Sequence, residues 1–120
     1  MKEIIIIVRP QAYFKTKEAL TENRFYAMTV REVHGRGRET VTYTAAEGSP
    51  QSAAERIYEN GLVAKKMIQI IVPDGLVQQV IDIILSVNSH GTEGDGKIFV
   101  LPVEESIRIH TGERGEDALV

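Results

Sequence analysis

Cysteine is absent from this 120-residue chain, basic residues are in the minority, and no apolar run is long enough to cross a membrane. Without a thiol, the chain cannot form disulfides, thiolate zinc sites or iron–sulfur clusters, and it has no cysteine nucleophile. The 14 basic and 17 acidic residues give a net charge of −3. This balance argues against binding to nucleic acid or to an anionic membrane surface, because proteins that do so usually carry a basic face.

The first residues also lack the features of a signal peptide. Glu3 places an acid where such a peptide is basic, and no small-residue cleavage site follows the apolar run at residues 4–8. We therefore predict a cytoplasmic protein. The length predicts one domain spanning residues 1–120, and a domain this small leaves much of its surface in water, which favours self-association.

Hydrophobic patterning predicts four long strands and two helices. The β-branched run at residues 4–8 does not alternate with polar residues, which is typical of a central strand covered on both faces. Helical spacing predicts a first helix with Phe14, Ala19 and Leu20 inside, and Asp74 is positioned to cap the second helix. The predicted strands cover residues 4–8, 26–34, 67–72 and 97–101, the helices 13–23 and about 75–87, and a short tail strand 106–110.

This order of elements predicts an α+β fold of the ferredoxin-like type, a βαββαβ sandwich with one antiparallel sheet and both helices on one face. The other face of the sheet needs a cover, and a further copy of the chain would supply it. A segment of about 30 residues, 35–64, separates the two middle strands. Segments longer than about 15 residues in compact domains are usually either functional or disordered.

A glycine-rich segment, 91–97, precedes the last predicted strand and fits the first part of a phosphate-binding loop, G-x-x-x-x-G-K. It departs from the rest of that motif, because Ile98 replaces serine or threonine and a strand follows where a helix is required. A magnesium-nucleotide hydrolase loop is thereby excluded. The glycines still let backbone N–H groups approach phosphate oxygens, and Lys97 supplies a positive charge. The segment is therefore either a phosphate-binding loop or a plain turn.

Two further segments carry positive charge near predicted strand ends. Residues 35–38 join glycine to arginine, and the predicted tail strand places Arg108 and His110 on one face. Each segment alone is also consistent with a solvated turn or edge strand. Together, Arg38, Lys97 and Arg108 would form a triphosphate site on an otherwise acidic protein.

Patterns typical of enzymes are missing. The histidines at 34, 90 and 110 lack metal-ligand spacing, no serine lies in a G-x-S-x-G turn, and the acids form no paired-carboxylate arrangement. We therefore predict that the chain is not an enzyme. A small enzyme on a ferredoxin-like scaffold is the alternative of another class.

Three separated motifs resemble the PII signal-transduction family over nearly the whole chain. They are M-T-V-R-E-V-H-G-R-G-R at residues 28–38, G-D-G-K-I-F-V at 94–100 and I-R-I-H-T-G-E at 107–113. The resemblance implies a ferredoxin-like subunit in a trimer, with ATP or ADP bound in clefts between neighbouring subunits. It also implies 2-oxoglutarate sensing at the base of the long T-loop (about 35–64), a C-terminal tail at about 104–120, and a regulatory role.

The resemblance assigns two sets of binding residues. Glu39 and Lys65 would contact 2-oxoglutarate, and Glu39 would also ligate Mg²⁺ carried by the nucleotide. The nucleotide-binding set comprises Ile7, Thr29, Gly35, Gly37, Arg38, Ile71, Gly94, Asp95, Gly96, Lys97, Arg108 and His110.

Two of these positions depart from the family pattern. Glu39 stands where the family has a glutamine, and a carboxylate there repels an anion unless a metal bridges the two. His110 replaces an arginine, which keeps a hydrogen-bond donor and loses a permanent charge. Tyr43 and Tyr58 also lack the sequence around the tyrosine that is uridylylated in other members.

Segments at 61–67, 87–89 and 111–119 resemble the nitrogenase-associated branch of the family. This implies a nitrogen-status regulator that inhibits dinitrogenase together with a paralogous subunit, and that 2-oxoglutarate relieves the inhibition. The expected partners are copies of the chain in a homotrimer, a paralogue and dinitrogenase. Regulation of an ammonium transporter or of another nitrogen-metabolism target is the alternative, and an assembly module with an empty site is a further one.

Overall fold

The computed structural model describes residues 1–36, 62–91 and 95–119. Most of the predicted T-loop, 37–61, thus lies outside the described residues. Short 3-10 turns lie at Asp74–Leu76 and Gly115–Ala118, and no helix in the described ranges is long and apolar enough to span a membrane. The main elements are β1 (Lys2–Val8), α1 (Pro10–Glu22), β2 (Met28–Gly35), β3 (Val63–Val72), α2 (Val77–Asn88) and β4 (Gly96–Pro102).

The four strands form one antiparallel sheet in the order β2-β3-β1-β4. Strand β1 pairs with β3 on one side and β4 on the other, so that Ile6 is opposite both Ile68 and Ile98. Helices α1 and α2 pack against each other and against one face of the sheet. The predicted α+β, ferredoxin-like βαββαβ sandwich is confirmed.

The hydrophobic core lies between this face and the helices. Ile4, Ile6 and Val8, which alternate along β1, are almost completely buried, and they form one cluster with Leu20 of α1 and Val80 of α2. Burying each such side chain contributes about 1.5–3 kcal/mol. The core therefore fixes which face of each strand turns inward.

The opposite face, which we call the open face, has no helix over it in the described residues. It carries the apolar residues Ile5, Ile7 and Ile71, and on β4 the side chains of Phe99 and Leu101 are 46% and 39% exposed. Within one chain, β1 is therefore covered on one face only, and not on both as predicted. Ile5 and Ile7, which point to the open face, are partly exposed.

Helix α1 begins earlier than predicted and turns a different face inward. Pro10 fits the first turn because its missing N–H would have no helical partner there. Thr16 and Leu20 are buried, whereas Phe14, which the spacing placed inside, is 62% exposed. The Phe14 ring instead lies 5.0 Å from Lys17 Nζ in a cation–π contact.

Asp74 does not cap α2 as predicted. Its carboxylate accepts hydrogen bonds from the Met1 ammonium at 2.9 Å and from Lys2 Nζ at 3.0 Å, and these contacts lower the pKa of Asp74. Helix α2 begins at Val77, after the 3-10 turn, without a side-chain cap. Asp74 therefore ties the start of β1 to the turn that follows β3.

A buried polar contact joins the end of α2 to α1. Asn88 Nδ2 donates to Thr16 Oγ1 at 2.9 Å and to the Ile84 carbonyl at 3.0 Å, and Thr16 Oγ1 donates to the Ala12 carbonyl at 2.7 Å. Buried polar groups are costly unless hydrogen-bonded. This contact therefore fixes the point at which α2 ends and the chain turns towards β4.

The C-terminal tail folds back on itself instead of continuing as the predicted strand. Ile107 and Arg114 form an isolated antiparallel bridge, and Gly112, between them, has a φ of +75°. Glycine adopts positive φ without steric cost and so reverses the chain here. The prediction that Arg108 and His110 share one face of a strand is wrong, because His110 lies in the turn.

Glu32 and Lys66 form an ion pair across β2 and β3, with Lys66 Nζ 2.9 Å from Glu32 Oε1. The hydrogen bond from Lys66 and its charge lower the pKa of Glu32 below the ordinary value of 4.5. A carboxylate whose pKa falls on folding stabilises the protein above its unfolded-state pKa. That contribution is lost as the pH falls through the folded-state pKa.

We expect Glu32→Gln to make thermal stability less sensitive to acid as the pH falls below 4.5, the ordinary pKa from which folding lowers that of Glu32. Melting temperatures of the variant and the parent protein across this range test the prediction. Glu18→Gln, on the exposed side of α1, is the control and should follow the parent curve. Identical slopes for Glu32→Gln and the parent would mean that the ion pair contributes nothing.

Candidate functional site

A cleft lies where β1 ends and β4 begins, and we call it the β4 cleft. Its volume is about 330 Å³, and it brings together Ile7, Asp95, Gly96 and Lys97, which were predicted to bind nucleotide. Gly94, predicted to join them, lies outside the described residues. The other lining residues are Val8, Ile84, Leu85, Asn88, Ser89 and Ile98.

Gly96 lets two backbone segments approach closely at this cleft. Its φ is +123°, and a Cβ added there would overlap the carbonyl oxygen of Ile7. Gly96 pairs with Val8, and Lys97 pairs with Ile7. The glycine therefore determines where the exposed side chain of Lys97, the next residue of β4, projects from the sheet.

Asp95 contacts the residues that follow α2 and precede α1. Its Oδ2 accepts a hydrogen bond from the backbone N–H of His90 at 2.8 Å, and its Oδ1 lies 4.0 Å from Arg9 Nη2. An ionised carboxylate accepts hydrogen bonds but cannot donate them to a phosphate. The Asp95 side chain therefore supports this site through its contacts with His90 and Arg9.

A second cleft, which we call the tail cleft, lies between the C-terminal tail and the β2–β3 side of the open face. Its volume is about 390 Å³, and it brings together Thr29 and Ile71 from the predicted nucleotide set. Sequence analysis did not single out the other lining residues, Glu3, Ala27, Met28, Gln69, Ser106, Ala118 and Leu119.

A row of polar side chains crosses the sheet beside the tail cleft. Arg31 Nη2 donates to Gln69 Oε1 at 3.1 Å, and Gln69 Nε2 donates to Glu3 Oε2 at 3.2 Å. Gln69 is a polar residue within the apolar run of β3, and this interruption is a signal that could have marked it. The bonds fix the Gln69 amide, and with it one wall of the cleft.

Arg108 lies in the tail close to this second cleft. Its Nη1 is 2.7 Å from Glu113 Oε1, and its Nη2 donates to the Asp117 carbonyl at 2.8 Å. The neighbouring residues Ser106 and Ala118 line the cleft. Charge-assisted bonds of this length are among the stronger hydrogen bonds of proteins, so the guanidinium is held beside the tail cleft.

Within one chain, the two clefts thus hold two separate groups of the described nucleotide residues. Thr29 lies on β2 and Lys97 on β4, which are the two outer strands. Adjacent strands lie about 4.8 Å apart, so three spacings separate these residues by about 14 Å or more. Neither cleft contains residues of the other group.

Apart from His110, which lies in the turn of the tail, the remaining predicted residues belong to the long loop or to the strands beside it. Gly35 is the last residue of β2 and is opposite Val63, and Lys65 of β3 is opposite Val33. Gly37, Arg38 and Glu39 lie outside the described residues. Among the residues that are described, no group of three or more His, Asp or Glu side chains could hold a metal ion.

Comparison with known proteins identifies one family. The sequence profile described as "Nitrogen regulatory protein P-II" matches residues 1–113. "Nitrogen fixation nifHD region GlnB-like protein 2" of Methanobacterium ivanovii is 41% identical over 100% of both chains. The protein of the same name from Methanothermococcus thermolithotrophicus is 42% identical over 99% of this chain and 98% of its own.

Two further matches extend the comparison beyond methanogens and to solved structures. "Nitrogen regulatory protein P-II" of Rhodospirillum rubrum is 39% identical over 99% of this chain and 100% of its own. The crystal structure of Arabidopsis thaliana PII bound to citrate superposes with a TM-score of 0.74 at 33% identity. That match covers 98% of this chain and 88% of the plant protein.

Proposed function

The chain belongs to the nitrogen regulatory protein P-II family, and from that premise we propose that it is a nitrogen-status sensor that controls nitrogenase through its T-loop. Its effectors would be ATP or ADP and 2-oxoglutarate. The observation that carries the proposal is the family match over residues 1–113, which includes all three motifs. Proteins of this family are regulators and not enzymes, so the chain acts by binding its target.

We propose that the nucleotide lies between two protomers of a homotrimer. The β4 cleft offers Lys97 from one protomer, and Arg108, held beside the tail cleft, would come from its neighbour, because the two clefts hold separate groups of residues within one chain. The apolar open face supports self-association, since exposed apolar surface of this kind commonly marks an interface. Cyclic symmetry would then form one complete site at each contact between protomers.

The second effector would bind at the base of the T-loop. Lys65 supplies an ammonium group for a carboxylate of 2-oxoglutarate. Glu39 supplies an oxygen ligand of the kind that Mg²⁺ prefers, together with the nucleotide phosphates. The ion would offset the repulsion between Glu39 and the anionic effector.

Signalling requires that the effectors bind one loop state more tightly than another. The relatives' names place their genes in the nifHD region, which supports dinitrogenase as the target of this chain. The "2" in these names supports joint action with a paralogous subunit. Effector binding and the regulation of dinitrogenase would both take place in the cytoplasm.

The proposal is tested by mixing the protein with its paralogue and dinitrogenase in the presence of ATP, and by measuring nitrogenase activity and complex formation with and without 2-oxoglutarate. We expect inhibition and a complex with ATP alone, and loss of both when 2-oxoglutarate is added. A variant lacking residues 40–59 is the control and should assemble and bind ATP without inhibiting. Unaffected nitrogenase activity, together with capture of an ammonium transporter in a separate binding assay, would assign the sensor to the other target.

A further inference from the structure

The last two described residues form a wall of the tail cleft. Ala118 and Leu119 line it, and they face a set that includes Thr29 and Ile71. The side chains of Ala118 and Leu119 are partly buried although the segment before them is acidic and exposed. An apolar pair at the end of a charged tail therefore lies against the cleft and away from bulk water.

The tail is held in this position by bonds that converge on Arg108. The guanidinium binds the Glu113 carboxylate at 2.7 Å and the Asp117 carbonyl at 2.8 Å, directly before Ala118. The backbone N–H of Arg108 also donates to the Glu113 carbonyl at 2.9 Å. One arginine thus connects the turn of the tail with the segment that lines the cleft.

The chemistry of the tail cleft suits a flat ring with polar edges. Ile71, Ala118 and Leu119 offer apolar surface, whereas Thr29 and Ser106 offer hydroxyl groups. A volume of about 390 Å³ falls in the range of small-molecule sites, which combine apolar walls with a few polar groups. A nucleobase has this combination of apolar faces and hydrogen-bonding edges.

We propose that the C-terminal segment 115–119 is the base-contacting wall of the nucleotide site, and that Leu119 packs on the purine ring. Arg108 then has two tasks, since it binds phosphate and holds this wall in place through Glu113 and Asp117. The inference rests on the proposed function, because it assumes that the nucleotide uses the tail cleft. It adds a contact made by the end of the tail to the residues predicted from sequence.

The first test compares ATP affinity by calorimetry for Leu119→Ala and for Ile109→Ala. Ile109 is the matched control because it is 100% exposed in the same tail and does not line the cleft. We expect Leu119→Ala to weaken ATP binding about 5–10-fold, the effect of removing one apolar side chain from a ring contact. Ile109→Ala should stay within about twofold of the parent protein. Equal affinities for the two variants would overturn the proposal.

The second test measures contacts in the parent protein and uses a variant only to assign the Leu119 signals. Leucine methyl groups are labelled with ¹³C, the Leu119 signals are assigned by their loss in Leu119→Ala, and magnetisation transfer to the adenine H2 and H8 protons of bound ATP is measured. Transfer from the Leu119 methyl groups supports the proposal. Bound ATP without such transfer refutes the proposal alone, whereas failure of the parent protein to bind ATP refutes the proposed function as well.

Discussion

Gly96→Ala is expected to destabilise the protein by about 2–4 kcal/mol, because two separate penalties act at this position. The φ of +123° is strained for any residue with a Cβ. In addition, the new Cβ would overlap the Ile7 carbonyl oxygen, which belongs to the backbone of the central strand and cannot rotate away. Relief requires that β4 moves away from β1, which breaks pairing at the start of the strand.

Urea unfolding at one fixed protomer concentration measures this effect, because the stability of an oligomer depends on concentration. Gly91→Ala is a matched control. Gly91 also has a positive φ, +71°, but nothing lies within 4 Å of a Cβ added there, so about 1–2 kcal/mol of backbone strain is expected alone. Equal losses for the two variants would contradict the close approach of Gly96 to Ile7.

Lys97→Ala is expected to weaken ATP binding by roughly 1.5–3 kcal/mol, which is about 10–150-fold, the range for charge-assisted hydrogen bonds. The Lys97 side chain is exposed on β4 and lines the β4 cleft. Its removal takes a cation from the phosphates without removing a core side chain. The fold should therefore survive while the affinity falls.

Calorimetric titration with ATP tests this prediction, and Lys15→Ala is the control. Lys15 is an exposed cation on α1 that lines neither cleft, so its loss changes the net charge equally without touching the site. Equal affinity of Lys97→Ala and the parent protein would refute the phosphate role of Lys97. Equal weakening in both variants would indicate a long-range charge effect instead of a contact.

The strands of the sheet could be predicted from the sequence because the patterns that mark them lie within or directly beside each strand. The β-branched run of β1 and the prolines after β1 and β3 mark strand limits by backbone chemistry that needs no partner. The inner face of α1 was predicted less well, because Thr16 is buried by a contact with Asn88, 72 residues away. Similarly, Asp74 has a capping residue type, yet its carboxylate contacts the Met1 ammonium and Lys2, which lie about 70 residues earlier in the chain, and does not cap α2.

The residues of the candidate site also divide into those marked by a local sequence signal and those placed by long-range contacts. Gly96 and Lys97 stand in one local motif, so spacing alone offered phosphate binding as one of two readings, beside a plain turn. Thr29 and Ile71 carry no chemistry that marks them in isolation, and only the resemblance assigned them. Leu119 was missed because its place in the cleft depends on the fold of the tail, which two glycines and the bonds of Arg108 determine together.

The central claim is that each nucleotide site takes Lys97 from one protomer and Arg108 from its neighbour. The most direct test co-expresses Lys97→Ala and Arg108→Ala chains with different tags, purifies the mixed assemblies and counts ATP sites of parental affinity. The account predicts roughly one third of the sites restored in trimers that contain both chains, because only one of the three neighbour contacts in such a trimer pairs an intact Lys97 with an intact Arg108. If the mixed assemblies bind no more ATP than the separate variants do, the site lies within one protomer and the account is wrong.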